Sequence, residues 1–209
     1  FMLHTSLWDR EKLTLEEGMA RLWREEPIRA ELHELLAVLD EQADHLSVPL
    51  DDDLPLRVHA RYTLGEIMAG MGISTPERQL RPQAGVFWDA KSQTDLFFVT
   101  LEKSERDFSP TTRYRDYAIS PTLFHWESQS VTREQSETGQ RYINHKARGS
   151  RVFIFARERK QQDGRTLPYL FLGPATYVNH QRERPMQIVW QLEYEMPADF
   201  FHSAAVVAG

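Results

Sequence analysis

Arg113, Tyr114, Arg115, Asp116 and Tyr117 stand consecutively in the chain, and His125, Trp126, Ser128 and Gln129 follow closely. Guanidinium groups contact phosphates or base edges. Aromatic rings give stacking platforms worth about 1–3 kcal/mol per base. A lone carboxylate among arginines can accept a hydrogen bond from an exocyclic amine such as N4 of cytosine. Stacking faces, one acid and basic flanks are what a reader of an extrahelical base requires. The same residues also fit a structural role. Phe124 and Trp126 can be strand core, Tyr114 and Tyr117 can plug the end of a sheet, and Asp116 can pair with Arg113 or Arg115.

Catalytic patterns are missing. The sequence has no G-x-x-x-x-G-K-[ST] phosphate loop, no H-E-x-x-H pair and no G-x-S-x-G elbow. Its eight histidines are scattered, and no carboxylate pattern frames His125 and His145 as metal ligands. Glu102 and Glu105 alternate with Lys103 and Arg106, the pattern of a solvated surface. The residues therefore point to a binding domain rather than an enzyme, with no cofactor and no metal.

The 209 residues, 41% hydrophobic and 11% aromatic, suffice for one large domain or for a medium domain with a helical annex. There is no cysteine, which removes disulfides and thiolate metal sites and fits a reducing cytoplasm. No apolar run approaches the ~20 residues that span a bilayer, and the polar opening residues lack a signal-peptide core, so no membrane partner is expected. The net charge of −6 is unevenly spread. The front is acidic, whereas Arg141 to Arg165 is rich in Arg and Lys. At a screening length of about 8 Å such a stretch can bind phosphate on an acidic protein. It equally suits a strand edge protected by charge.

The elements that must position these residues divide into two regions. Thr14 and Glu17 form a capping box ahead of Leu15, Met19, Leu22 and Trp23, which recur at helical spacing. Pro27 interrupts, and Ile28, Leu32, Leu35, Leu36 and Leu39 form a second stripe ending near His45. Pro49, the run Asp51 to Asp53, and Pro55 read as a linker. Thr63 and Glu66 open a third short helix that stops at Gly70 and Gly72. After Pro82 the pattern predicts strands at Val86–Trp88, Leu96–Leu101, Leu123–Ser128, Val152–Phe155, Tyr169–Leu172 and Thr176–Asn179. The alternation of Met186, Ile188, Trp190, Leu192 and Tyr194 predicts another. Turns are expected at Asp163-Gly164, Gly173-Pro174 and Pro185. The expected class is α+β, with an N-terminal helical segment followed by a curved, mostly antiparallel sheet or barrel.

Certain longer strings are more specific. They are Thr100-Leu-Glu-Lys-Ser104, Phe108-Ser-Pro-Thr-Thr-Arg-Tyr-Arg-Asp-Tyr-Ala-Ile-Ser120, Leu123-Phe-His-Trp-Glu-Ser-Gln-Ser130, Gly139-Gln-Arg-Tyr-Ile-Asn-His145, Phe171-Leu-Gly-Pro174 and Tyr177-Val-Asn-His180. Together with Arg61-Tyr-Thr-Leu-Gly-Glu-Ile67, they resemble the C-terminal target-recognition domain of SauUSI-type, modification-dependent (type IV) restriction enzymes, which follows a superfamily 2 helicase core. Glu127 stands where that pattern has Gln. On a strand its side chain should point away from Trp126 and Ser128.

The resemblance implies a helical coupling segment over residues 1–50 and an SRA-like DNA-recognition domain over 56–200. It implies double-stranded DNA containing 5-methylcytosine as ligand, with 5-hydroxymethylcytosine as a second candidate, read by base flipping. The partners would be helicase and nuclease domains of a parent chain. Asp116, Tyr114, Tyr117, Trp126, Ser128 and Gln129 would line the base pocket, with two aromatics sufficing. Arg113, Arg115, Lys103, Arg148 and Arg151 would meet the DNA backbone. The competing expectation is a non-specific DNA-binding or protein-coupling accessory domain of a helicase.

Overall fold

A computed structural model describes residues 1–8, 11, 13–42, 48–51, 53–82, 85–102 and 116–206. The chain forms two compact units, Phe1–Arg81 and Pro82–Gly209. The family-based expectation placed the division at residues 50–56.

The first unit contains α1 (Met2–Leu7), α2 (Leu15–Arg24), α3 (Glu26–Gln42), β1 (Val48–Pro49), β2 (Arg57–Val58), β3 (Arg61–Tyr62) and α4 (Leu64–Gly70). Both expected capping boxes form. Thr14 Oγ1 accepts from the Glu17 amide at 3.2 Å, while Glu17 Oε2 accepts from the Thr14 amide at 2.8 Å. Thr63 and Glu66 repeat the arrangement at α4. Each box satisfies amide donors that the first helical turn would otherwise leave unpaired. Gly18 lets α2 approach α1, since a Cβ there would lie 2.6 Å from the His4 ring. The apolar stripes of α2 and α3 are only partly buried: Leu22 is 6% exposed, whereas Leu15 and Met19 are exposed. Trp23 is 70% exposed, and Ile28, Leu35 and Leu36 are also exposed.

The second unit is built on one sheet. Its strands are β4 (Val86–Asp89), β5 (Thr94–Glu102), β6 (Tyr117–Ser120), β7 (Leu123–Glu127), β8 (Arg151–Arg159), β11 (Tyr169–Gln181) and β12 (Gln187–Leu192). A small hairpin, β9 (Gln161–Gln162) and β10 (Arg165–Thr166), turns at Asp163 and Gly164, both at positive φ, as the Asp-Gly pair predicts. The helices are α5 (Glu137–Ile143) and α6 (Ala198–Val206). Across the sheet the order is β4-β5-β8-β11-β12-β7-β6. Neighbours run antiparallel except for the parallel pair β5–β8.

The class is thus α+β with a mixed sheet. Among the described residues β4 and β6 are its edges, so this sheet is not closed into a barrel. Two segments expected as separate strands, Tyr169–Leu172 and Thr176–Asn179, form the single strand β11. Gly173 at φ +94° and a register shift between Phe171 and Gly173 absorb the Gly-Pro pair, so the strand bends instead of turning.

The core fills one face of this sheet. Ile188, Trp190 and Leu192 point into it with the expected period of two. Trp126 stacks on Phe97 with ring centres 4.1 Å apart. Tyr142 of α5 meets both rings edge-on, and Phe200 of α6 is buried in the same cluster. The opposite face carries a second aromatic layer, with Phe155 stacked on Phe171 at 4.4 Å. There the buried Arg157 lies 4.2 Å from the Tyr169 ring centre and donates to Thr100 Oγ1 and the Leu167 carbonyl.

Candidate functional site

The register gathers most described candidates at one end of the sheet. Gln181 pairs with Gln187, and Gln187 pairs with Glu127. Tyr117 pairs with His125 one position away on the neighbouring strands. Arg151, which opens β8, is instead about level with Thr176, Gln191 and Leu123, at the other end of β7 from Glu127. Three strand spacings of about 4.8 Å separate β8 from β7 laterally, roughly 14 Å.

Asp116 immediately precedes β6 and is 4% exposed. Its Oδ1 accepts from the Glu127 amide at 3.0 Å, which ties the start of β6 to the end of β7. The half-buried Tyr117 ring stacks on His125, with centres 4.5 Å apart and planes 15° from parallel. The aromatic pair therefore stands on the face opposite the core, and the buried Asp116 carboxylate ties the strand ends next to it.

Trp126, expected as a stacking candidate, takes its alternative role. It points the other way, is 4% exposed, and its ring is covered by Phe97 and Tyr142. Period two along β7 separates it from His125. Ser128 is fully buried. Its hydroxyl accepts from the Met186 amide at 2.9 Å and donates to the Gln129 carbonyl at 3.1 Å, so it ties the chain to the start of β12. Gln129 is half-buried at the start of a turn closed by the Thr132 amide. Glu127 indeed points away from Trp126, and its Oε1 accepts from Gln187 Nε2 at 2.8 Å. Arg148 is exposed in the turn before β8, and the half-buried Arg151 guanidinium lies 4.9 Å from the Phe153 ring centre. Lys103, Arg113, Tyr114 and Arg115 fall outside the described residues.

Two polar constellations were not foreseen. The fully buried Asp95 takes a bidentate hydrogen bond from Arg141, with Nε to Oδ2 at 2.8 Å and Nη2 to Oδ1 at 2.9 Å. The guanidinium also lies 4.3 Å from the Trp88 ring centre. Burial pushes the Asp95 carboxyl up, and Arg141 opposes the shift.

The second constellation surrounds Tyr177. His145 Nε2 accepts from the Tyr177 amide at 3.1 Å, so Nδ1 carries the proton and faces the Ser150 carbonyl at 3.3 Å. Burial lowers the His145 pKa, consistent with a neutral ring. The Tyr177 hydroxyl lies 2.6 Å from His180 Nδ1, and His180 Nε2 lies 3.5 Å from Glu134 Oε2. Burial first, and the Glu134 carboxylate second, push the Tyr177 hydroxyl up, so it remains a donor. Residues three apart on a regular strand face opposite ways. The register shift between Tyr177 and Asn179 brings Tyr177 and His180 to one face. No local sequence signal marks that bulge.

Among the described residues, no group of three or more His, Cys, Asp or Glu is placed to hold a metal ion. No described helix is long and apolar enough to cross a membrane.

The fold and site define an α+β domain in which one sheet end carries a buried carboxylate and an aromatic pair. Residues 56–204 match the family described as a domain of unknown function (DUF3427), and the chain belongs to that family. No curated protein matches the chain.

Proposed function

We propose that this protein is a DNA-binding target-recognition module of the SRA-like kind, which reads modified cytosine in duplex DNA by accepting the flipped base at the β6–β7 end of the sheet. The observation that supports the reading is the buried Asp116 carboxylate at the strand end that also carries the Tyr117–His125 stack. Asp116 accepts from the N4 amine of the base, and Tyr117, backed by His125, supplies the stacking face. Trp126 supports β7 from the core side, and Ser128 with Gln129 shapes the base edge. Arg148, Arg151, Lys103, Arg113 and Arg115 serve the phosphates.

Magnitudes limit how selective such a site is. Flipping costs a few kcal/mol, and one or two stacks at about 1–3 kcal/mol each offset it. A buried methyl contributes only about 0.8 kcal/mol, close to fourfold in affinity. Modest discrimination is therefore expected from this module, with ATP-dependent steps of a parent helicase–nuclease amplifying it. A coupling role is favoured for the first unit alone, because α2 and α3 present Trp23, Leu35 and Leu36 outward.

The test is titration against matched duplexes bearing cytosine, 5-methylcytosine or 5-hydroxymethylcytosine, with 2-aminopurine next to the target base. A preference for a modified duplex with a fluorescence rise supports the reading. Equal affinities and a silent reporter would indicate a non-specific DNA clamp. Asp116→Asn should abolish the preference, whereas Arg148→Ala should weaken all three duplexes alike.

A further inference from the structure

The acidity of the chain is concentrated in its first unit. Residues 1–81 hold nine Lys and Arg against sixteen Asp and Glu, a formal −7, whereas residues 82–209 stand at +1. Leu15–Gln42, which spans α2 and α3, has three arginines against eight acids, a formal −5. The same two helices carry most of the apolar surface. Among the described residues twelve large hydrophobic side chains are exposed, and seven of them lie between Leu15 and Val38. Exposed apolar residues scattered singly need no account, but a concentration on consecutive helices marks an interaction surface.

The spacing gives that surface a shape. Ile28, Leu32 and Leu35 stand four and three residues apart, the seam spacing along which one helix packs on another. The 17 residues of α3 make a seam about 25 Å long. On α2, Leu15, Met19 and Trp23 recur every fourth residue and are all exposed. Acids border both rows. Exposed Glu16 stands three residues before Met19, and exposed Glu31 four before Leu35. Two of the three arginines are already engaged: Arg21 pairs with Glu11, and Arg29 lies 5.3 Å from the Trp23 ring centre.

Charge selects the occupant. A second copy would set −5 against −5 across the seam, and nucleic acid or an anionic bilayer carries the same sign. A helix with an apolar row between Lys and Arg residues satisfies both the seam and its border. We propose that the α2–α3 face docks such a basic amphipathic helix from a partner domain. Its apolar row packs along Ile28, Leu32 and Leu35, with Trp23 as the aromatic anchor, and its cations meet Glu16, Glu31 and Glu34. The inference rests on the coupling role given to the first unit, names the chemistry of the partner, and is independent of DNA reading.

The experiment titrates the intact chain, by fluorescence anisotropy, with labelled synthetic helices about three heptads long. All carry Leu at the seam positions, and Lys, Gln or Glu at the others. The Lys helix should bind about tenfold tighter than the Gln helix, as three exposed ion pairs allow, and the Glu helix should bind weakest. Glu31→Lys/Glu34→Lys should reverse this order. Glu193→Lys/Glu195→Lys, the same charge change at exposed positions of the second unit, should leave it unchanged. Trp23→Ser/Leu36→Ser should weaken the Lys helix about tenfold and leave the melting temperature nearly unchanged, because both side chains already face water. Binding of the Lys helix that neither α2–α3 variant alters overturns the site. Tighter binding of the Gln or Glu helix overturns the basic partner and leaves the coupling role standing. Self-association of the unaltered chain in sedimentation, lost in Trp23→Ser/Leu36→Ser, puts a second copy in the partner's place. If no helix binds and the chain stays monomeric, the coupling role falls too.

Discussion

His145 shows how a single residue links two segments through its tautomer. Its Nε2 must stay unprotonated to receive the Tyr177 amide, and Nδ1 must carry the proton toward Ser150. Protonation would set two donors against each other. Its pKa is lowered by burial, so the folded state binds fewer protons than the unfolded chain just below the ordinary value of 6.5. The stability linked to this site is present above that value and is lost as pH falls through the folded pKa. Thermal unfolding of the protein should therefore show a destabilisation as pH falls below 6.5 that His145→Gln lacks, although the variant is less stable above that pH. Identical pH profiles would sink the assignment. At this scale the sequence showed that Asp116 stood in an aromatic–arginine cluster. It could not separate Tyr117 from Trp126, because facing is decided by strand register, and β6 was not visible as a strand.

The Asp95–Arg141 pair ties α5 to the β4–β5 edge. A buried carboxylate deprived of its partner is costly, typically 3–5 kcal/mol. Arg141→Met should destabilise the protein by about that amount at pH 7 in denaturant titrations. The sign of the pH effect follows from Asp95, whose pKa is already raised by burial against the pull of Arg141. Without the arginine the folded state retains the proton to still higher pH, so the variant loses stability as pH rises. Its deficit should shrink as pH falls toward 3.8, the ordinary value of an aspartate. A deficit independent of pH would mean that lost packing on Trp88, not the stranded charge, dominates. Helices α2 and α4 were legible from their capping boxes and β12 from its alternation, since both signals are local. Helices α5 and α6 were not, because their short turns depend on the aromatic cluster they cover.

For the molecule as a whole, the net charge of −6 and the basic stretch from Arg141 to Arg165 pull in opposite directions. Salt separates them. If the DNA-reading proposal holds, the logarithm of affinity should fall linearly with the logarithm of salt, by about 0.9 per phosphate contacted. A flat response in fluorescence anisotropy would rule out backbone contact as the main source of affinity. The sequence by itself determined the class of the chain: helices ahead of strands, no P-loop motif and no cysteine. Those properties are written in composition and in local periodicity. Only the tertiary structure decided that Trp126 belongs to the core and Tyr117 to the opposite face, that Gly173-Pro174 bends one strand, and that Tyr177 reaches His180 across a bulge. Each depends on strand pairing between residues distant in sequence, where a one-residue shift exchanges the two faces and no local pattern records it.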